Sequence, residues 1–326
     1  MSDLRFATRL NSFASKAYAF WPDLKGKPTT YQMIDRAATV KGLTDLDLNY
    51  PQHVKSDVKE LKTYIEDKGL HVNGMAMRYN TIPEFKLGAF THPEKRVRQE
   101  AVDLTKRGIE CGHEFGTNLM TIWLGQDGFD YCFQADYQKM WDNMIECFKA
   151  VAEFDPSVNI SIEYKPNEPR AYSITPNVAT TLQAIREIGY KNMGITLDFC
   201  HVLYANEIPA YAAAMACRET QILGLHLNDG WGKRDDGLMV GSVNIRATLE
   251  LIYQLRKNNF SGAYYFDTFP DASGTDPVSE AEVNISTVRK LVEIADKLIS
   301  DESLNQAIAN QNAPLSQKIV NEFIFS

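Results

Sequence analysis

Cysteine is scarce in this sequence and never occurs in a Cys-x-x-Cys spacing. Five cysteines are spread over 326 residues: Cys111, Cys132, Cys147, Cys200 and Cys217. An odd number of widely spaced cysteines in a long chain is typical of reduced thiols and not of a disulfide framework. We therefore expect a cytoplasmic protein.

Long apolar runs are also missing. No apolar segment approaches the ~20 residues that a membrane-spanning helix needs. The first residues, Met-Ser-Asp-Leu-Arg-Phe, carry charges where a secretory signal has its apolar core. We expect neither secretion nor a membrane partner.

Positive charge is limited as well. The formal net charge is −8, and no run of Lys or Arg occurs. Binding to nucleic acid depends on a basic surface that contacts phosphates, so this composition argues against a nucleic-acid partner.

The sequence does contain enough apolar residues for a large core, with 44% hydrophobic and 23% charged residues. Its length suits one α/β barrel, which takes ~250 residues plus extensions. Because no linker rich in Pro, Gly or Ser interrupts it, we predict a single domain over residues 1–300. Residues 301–326 form a tail that ends in Phe-Ile-Phe, and we expect it to pack on the barrel or on a neighbouring subunit of a homo-oligomer, a dimer or tetramer.

Strand-like and helix-like segments alternate eight times, which predicts a (β/α)8 TIM barrel of parallel strands. The predicted strands are Leu4–Leu10, Asp45–Asn49, His71–Met77, Asn118–Leu124, Val158–Tyr164, Met193–Phe199, Ile222–Asn228 and Ala263–Thr268. Helical spacing occurs over Val54–Lys68, Pro93–Phe115, Tyr137–Phe154, Pro176–Gly189, Asn206–Arg218, Ile245–Lys257 and Val278–Ser300. Residues 11–40 are predicted to hold a loop and then a first helix.

The fifth strand is followed by a segment rich in charged residues and proline, Glu-Tyr-Lys-Pro-Asn-Glu-Pro-Arg. Side chains alternate along a strand, so Glu163 and Lys165 point the same way where the strand becomes a loop. In a TIM barrel, this end of the strands carries the active site.

The next three strands deliver further carboxylates and imidazoles at the same end. They are Asp198 and His201 after the sixth strand, His226, Asp235 and Asp236 after the seventh, and Asp267 after the eighth. Clustered buried carboxylates repel one another and need a compensating cation. A mixed Asp, Glu and His set suits one or two divalent ions, Mn²⁺, Mg²⁺ or Co²⁺, with Zn²⁺ as a further candidate. Asp229 fits a structural, capping role instead.

Several segments resemble xylose isomerase. Residues 163–170 resemble its Glu-Pro-Lys-Pro-Asn-Glu-Pro-Arg string, and residues 88–91, Gly-Ala-Phe-Thr, resemble its Gly-Gly-Phe-Thr. Residues 122–128 and 266–270 resemble its Val-Trp-Gly-Gly-Arg-Glu-Gly and Phe-Asp-Tyr-Lys-Pro strings. These matches are collinear and imply a xylose isomerase-like barrel that holds two divalent metals.

The resemblance implies a role for each candidate residue. The first metal would be held by Glu163, Asp198, His226 and Asp267, and the second by His201 with Asp235 and Asp236. Lys165 would polarise the carbonyl of an open-chain sugar. Trp123 and Phe90 would form an apolar wall of the sugar pocket.

Some positions depart from xylose isomerase. Asp198 stands where that family has Glu, and His226 where it has Asp; this pairing is more similar to L-rhamnose isomerase. The expected activity is aldose–ketose isomerisation by a 1,2-hydride shift, with Glu163, Lys165 and Asp235 as catalytic residues. The sequence leaves open an epimerase of the tagatose 3-epimerase kind and an endonuclease IV-like phosphodiester hydrolase. It also leaves open a binding protein without turnover, since Ile82 falls where xylose isomerase has its ring-opening His.

Overall fold

The computed structural model describes residues 4–15, 17–21, 23–55, 57–270 and 274–325. Eight parallel strands close into a barrel within these residues, which confirms the predicted fold. Strands β1 to β8 are Phe6–Arg9, Asp45–Tyr50, His71–Met77, Leu119–Trp123, Asn159–Glu163, Met193–Asp198, Ile222–Leu227 and Tyr264–Phe266. Neighbours in the barrel follow chain order, and β8 closes on β1 with Phe6 opposite Tyr264.

The strands are apolar at most positions because a barrel covers both faces of its sheet. Every residue of β6 is buried, for example. This continuous burial explains why the predicted strands agree with the observed ones to within two residues at each end.

Helices surround the barrel between successive strands. The longer ones are Thr30–Ala37, Val58–Asp67, Lys95–Phe115, Tyr137–Phe154, Val178–Ile188, Pro209–Glu219, Ile245–Lys257 and Pro277–Ser300. Side-chain caps fix several starts later than predicted. Asp57, for instance, accepts a hydrogen bond from the backbone N–H of Glu60, so the helix begins at Val58 and not at Val54. None of the helices in the residues above is both long and apolar enough to cross a bilayer.

Two short features were not predicted from the sequence. The helix Phe199–Tyr204 follows β6 directly. Gly128–Phe129 and Tyr172–Ser173 form a small antiparallel sheet outside the barrel. Six and two residues are too few to show a hydrophobic period.

The tail forms two helices, Glu302–Ala309 and Ala313–Ile324, with Leu304, Ala307 and Ile319 buried. Arg246, on the last helix before β8, donates hydrogen bonds to Gln317 and Asn321 of the tail. The tail therefore contacts the outer helices of the barrel; Ser326 lies outside the described residues.

His53 joins the ends of β1 and β2. Its Nδ1 accepts a hydrogen bond from the backbone N–H of Asn49 at 3.0 Å, and its Nε2 lies 2.7 Å from Asn11 Oδ1. Since Nδ1 is an acceptor, Nε2 carries the proton and donates it to Asn11. The ring is therefore neutral, and burial, together with nearby positive charge from Arg78 and Arg9, lowers the pKa of His53 to about 3.

We predict that His53 makes folding pH-dependent. In the unfolded chain its pKa is about 6.5, so the unfolded state binds an extra proton between about pH 6.5 and the folded value near 3. Its stabilising contribution is complete above pH 6.5 and declines by about 1.4 kcal/mol per pH unit as the pH falls. Urea unfolding of the wild type and His53→Gln at pH 7, 6, 5 and 4 should give a stability difference that shrinks with falling pH. A difference that stays constant across this range would contradict the prediction.

Candidate active site

Strands β5 to β8 bring four ionisable side chains together at the carboxyl end of the barrel. Glu163 and Asp198 end their strands, His226 lies opposite Asp198 in the sheet, and Asp267 directly follows β8. One potential ligand atom from each of the four residues lies within 4.8 Å of those of the others. The convergence follows from parallel strands that end at one rim.

The imidazole of His226 lies at the centre of this group. Its Nδ1 is 3.3 Å from Glu163 Oε1, 3.7 Å from Asp267 Oδ2 and 3.9 Å from Asp198 Oδ2. Its ring also packs 4.2 Å from the ring of Tyr265, centroid to centroid. Three carboxylates therefore surround one nitrogen.

A second group comprises Asp198, His201 and Asp235, again with ligand atoms within 4.8 Å of one another. Asp198 caps the helix Phe199–Tyr204 by accepting a hydrogen bond from the backbone N–H of His201 at 3.0 Å. The His201 ring contacts the Tyr164 carbonyl through Nδ1 at 2.9 Å, which directs Nε2 towards Asp235 Oδ2, 3.1 Å away. Asp198 thus belongs to both groups.

The two imidazoles compensate the carboxylates electrostatically. Burial alone lowers the pKa of His226, but Glu163, Asp267 and Asp198 raise it to about 9. His201 behaves in the same way, and Asp198 and Asp235 raise its pKa to about 9. Both rings are therefore cationic near neutral pH without a metal, and a divalent cation would compete with their protons.

The pKa values of the carboxylates shift in different directions. Burial raises the pKa of Glu163, but His226 and His201 outweigh it and lower the pKa to about 2. Burial raises the pKa of Asp198 to about 7 despite His201, and the charges of Asp235 and Asp267 act in the same direction as burial. Burial opposes ionisation of Asp235 too, but His201 and Lys165 hold its pKa well below the usual range.

Lys165 contacts the second group. Its Nζ lies 2.8 Å from Asp235 Oδ2 and 3.3 Å from Glu168 Oε2, and it lies 5.4 Å from the centre of the Trp123 ring. Burial lowers the pKa of Lys165, but Asp235 outweighs this effect and raises it. The lysine is therefore a permanent cation beside the acids.

Three buried atoms in these groups lack a hydrogen-bond partner among the described residues: His226 Nδ1, Asp235 Oδ1 and Asp267 Oδ1. A buried polar atom without a partner is costly, and three such atoms in one cluster of acids and imidazoles are consistent with a ligand that supplies the missing contacts. Carboxylate oxygens and imidazole nitrogens are ligands for Mn²⁺, Mg²⁺, Co²⁺ and Zn²⁺. The residues therefore fit divalent cations in both groups.

Asn228 and Asp229 hold the site together. The Asn228 amide donates to both Asp198 oxygens, at 3.2 and 3.0 Å, and to the Asp267 carbonyl. Asp229 is fully buried, and its carboxylate accepts hydrogen bonds from the backbone N–H groups of Gly230, Val243 and Asn244 and from the Asn244 amide. One carboxylate thus fastens both ends of the loop that carries Asp235, which is a structural role.

Two predicted site residues are not brought into the groups. Asp236 Oδ2 accepts a hydrogen bond from the Trp231 backbone N–H and Oδ1 one from Arg234, so its carboxylate is used within the loop. Phe90 is fully buried, and its ring packs 5.0 Å from that of Phe148 in the core. Trp123, by contrast, lies beside Lys165.

Two arginines at the same rim were not predicted from the sequence. Arg9 ends β1, and its Nε lies 3.7 Å from Asp267 Oδ1. Arg78 directly follows β3 and lies 5.9 Å from the centre of the Trp123 ring. The only sequence feature that indicates a role for these arginines in the site is their position at strand ends, which the acidic residues share.

A family profile described as xylose isomerase-like TIM barrel matches residues 37–291. The chain belongs to this family. It is 27% identical over 223 residues to a xylose isomerase from Thermus thermophilus, in a match that covers 67% of this chain and 58% of that enzyme. The chain thus matches less than two thirds of that relative's length.

Solved structures of this family's fold are similar along nearly the whole chain. A D-tagatose 3-epimerase-like protein superimposes with a TM-score of 0.73 at 16% identity, covering 91% of this chain and all of that one. An L-ribulose 3-epimerase superimposes with a TM-score of 0.72 at 16% identity, covering 92% of this chain and 99% of that one. At such identities the likeness shows the fold. The predicted resemblance to xylose isomerase-like barrels is confirmed.

We predict that Asp198 controls metal binding in both groups, whereas His201 controls it in one. Mn²⁺ should raise the melting temperature of the wild type, because it relieves repulsion among buried carboxylates. In Asp198→Asn the new side chain can still cap the helix, so the fold should persist while the Mn²⁺-induced shift is lost. His201→Gln should reduce the stoichiometry in calorimetric titration but keep binding by the first group.

The matched control is Asp142→Asn, which changes an exposed acid on the helix Tyr137–Phe154. It should bind Mn²⁺ as the wild type does. Undiminished Mn²⁺ uptake by Asp198→Asn would rule out the assignment of both groups.

Proposed function

We propose that the protein is an aldose–ketose isomerase that acts on an open-chain sugar by a 1,2-hydride shift. The observation that carries this proposal is the position of Lys165, 2.8 Å from Asp235, which in turn contacts His201 at 3.1 Å. A permanent cation next to a second ligand group suits a reaction in which negative charge develops on a sugar oxygen. The relationship to a xylose isomerase supports an enzyme of sugar chemistry.

Divalent cations are the proposed cofactors, held by two sets of residues. The first set is Glu163, Asp198, His226 and Asp267, and the second is Asp198, His201 and Asp235. When bound, such cations would supply Lewis acidity to the sugar's carbonyl and hydroxyl oxygens. Asp236 and Phe90 have no part in this proposal.

Proton movement is assigned to Asp235. Its Oδ2 contacts Lys165 and His201, while its buried Oδ1 has no hydrogen-bond partner among the described residues. The charges of His201 and Lys165 keep Asp235 ionised, so Oδ1 accepts a hydrogen bond from the O2 hydroxyl of an aldose and takes its proton as the hydrogen on C2 moves to C1 with its electron pair. The C2–O2 bond becomes a carbonyl, and the proton passes from Asp235 to O1.

Lys165 is assigned to O1. Its ammonium group donates a hydrogen bond to this oxygen, which is the carbonyl oxygen of the aldose and becomes a hydroxyl in the ketose. Charge on O1 grows as the hydride arrives at C1, so the interaction is stronger in the transition state than in the ground state. The Trp123 ring beside Lys165 limits the access of water to this cation.

An epimerase is the second candidate. The first four-residue set and the fold shared with sugar 3-epimerases favour it. An epimerase of this kind moves a proton between two carboxylates on opposite faces of the sugar. At the eighth strand this chain has Asp267, whose side chain is shorter than that of Glu, and Lys165 pairs with Asp235. Both features favour the isomerase.

The two candidates differ in how they handle solvent hydrogen. We predict that the Mn²⁺-loaded protein converts at least one aldopentose or aldohexose of a panel to its ketose in D₂O without deuterium at C1, because a hydride shift keeps the original hydrogen. Proton NMR and mass spectrometry of the product measure this directly. Deuterium at C1 would exclude the hydride shift in favour of proton transfer. Inversion of a ketose at C3 with deuterium on C3, and without aldose conversion, would instead establish the epimerase.

Lys165→Met tests the catalytic assignment. It should lower kcat by about 100- to 1000-fold, the usual effect of removing a group that stabilises a developing oxyanion. Mn²⁺ stoichiometry should stay unchanged, since the lysine is not a ligand. Lys139→Met, which removes an exposed lysine on the helix Tyr137–Phe154, serves as the control. A fully active Lys165→Met enzyme would exclude the role.

A further inference from the structure

The rim of the barrel has a second charged region, formed by Arg9 and Arg78. Arg9 is the last residue of β1 and Arg78 directly follows β3, so they lie on either side of β2. The acidic groups occupy the rim from β5 to β8. The mouth therefore has a cationic half and an acidic half.

Arg78 has no close counter-ion among the residues that the structure describes. Within the described residues, no carboxylate oxygen lies within 4.0 Å of its guanidinium group, and its contact is with the Trp123 ring at 5.9 Å. Lys165 lies over the same ring, at 5.4 Å. The side chain is half-buried, and a half-buried charge without a partner is unfavourable unless a ligand supplies the opposite charge.

Arg9 is only partly compensated. Its Nε lies 3.7 Å from Asp267 Oδ1, which exceeds hydrogen-bonding distance, and its guanidinium group stacks 4.6 Å from the Phe269 ring. Its Nη1 is buried and has no hydrogen-bond partner in the described part of the chain. Since Asp267 also belongs to the first ligand group, a bound cation there would compete with Arg9 for this carboxylate.

The two arginines act on the same neighbours. Burial lowers the pKa of His53, and both guanidinium groups lower it further. Burial raises the pKa of Tyr265 well above its usual value, and both guanidinium groups oppose that increase. The electrostatic fields of the two guanidinium groups therefore overlap at the rim between β8 and β2.

We propose that Arg9 and Arg78 bind an anionic group, a carboxylate or a phosphate, at the end of the sugar remote from the reacting carbons. Guanidinium groups match both anions with parallel N–H donors, and the Arg78 guanidinium donates no hydrogen bond to another residue in the described part of the chain. The substrate class is then an acidic sugar, one end of which meets the acidic half of the rim and the other the cationic half. This inference rests on the proposed function for the reacting end only.

The simpler interpretation is that the arginines balance the acidic groups. It accounts for Arg9, which approaches Asp267. It does not account for Arg78, whose charge reaches Glu163 only at longer range. The two interpretations predict different substrate preferences.

The first experiment compares three Mn²⁺-loaded enzymes on a matched set of probes: D-glucose, D-glucuronate and D-glucose 6-phosphate. One of the two anionic probes should have the higher kcat/KM, and the better one identifies the anion. Arg78→Met should lower the anionic-to-neutral ratio by about 10- to 100-fold, mainly through KM, because it removes charge-assisted hydrogen bonds to a group that does not react. Arg78→Lys keeps the charge and should restore part of the ratio.

Arg218→Met is the matched control. It removes an exposed arginine from the helix Pro209–Glu219 and should leave the ratio unchanged. A wild type that prefers D-glucose, or an Arg78→Met enzyme with an unchanged ratio, would overturn the inference and leave the isomerase proposal intact.

The second experiment separates this inference from the proposed function. Calorimetric titration of the chelator-treated protein with inorganic phosphate and with D-gluconate measures anion binding without turnover. The wild type and Arg218→Met should bind one of these probes at least tenfold more tightly than Arg78→Met. If no probe is isomerised, this difference still supports the anion site; equal binding by wild type and Arg78→Met contradicts it. Melting curves of each variant check that it folds.

Discussion

The repulsion among four buried carboxylates is the interaction on which the rest of the site depends. Glu163, Asp198 and Asp267 are buried, and the side chain of Asp235 is nearly so, so their charges must be compensated by the protein or by a cation. Without a metal the compensation comes from His201, His226 and Lys165. The strands supply the positions, and the barrel supplies the rigidity that keeps like charges together.

Charge at the barrel mouth is distributed asymmetrically. Acidic groups follow β5 to β8, while the arginines follow β1 and β3, and Trp123 at the end of β4 lies beside a cation from each side. Such a division orients a bound molecule before any chemistry occurs. In the reversed orientation, each end of the molecule would face the charge that repels it. Orientation is a requirement of the proposed isomerisation, which transfers hydrogen between two specific carbons.

The strands and most of the acidic site were predictable from the sequence for one physical reason. A barrel buries both faces of each strand, which makes most strand positions apolar. Parallel strands end at one rim, which brings Glu163 and Asp267 together although they are 104 positions apart in the chain. Directions of individual side chains were not predictable. Asp235 and Asp236 are adjacent, and only the loop conformation decides that the first faces the site.

The same limit applies to Phe90 and Arg78. An aromatic residue after a Gly-Ala pair suits a pocket wall as well as a core position, and only the packing against Phe148 distinguishes them. A single arginine after a strand is indistinguishable from a surface charge until its neighbours are known. The helix Phe199–Tyr204 is too short to show a period, although it fixes the direction of His201.

The fastening of the loop by Asp229 has an evolutionary consequence. Because one buried carboxylate binds the backbone at both ends of the segment between Gly230 and Asn244, the anchoring does not depend on the side chains in between. Residues along the exposed part, such as Trp231, can be exchanged or lengthened while the anchor persists. Descendants of this barrel could thereby change the exposed residues of this segment and still keep Asp235 beside His201 and Lys165.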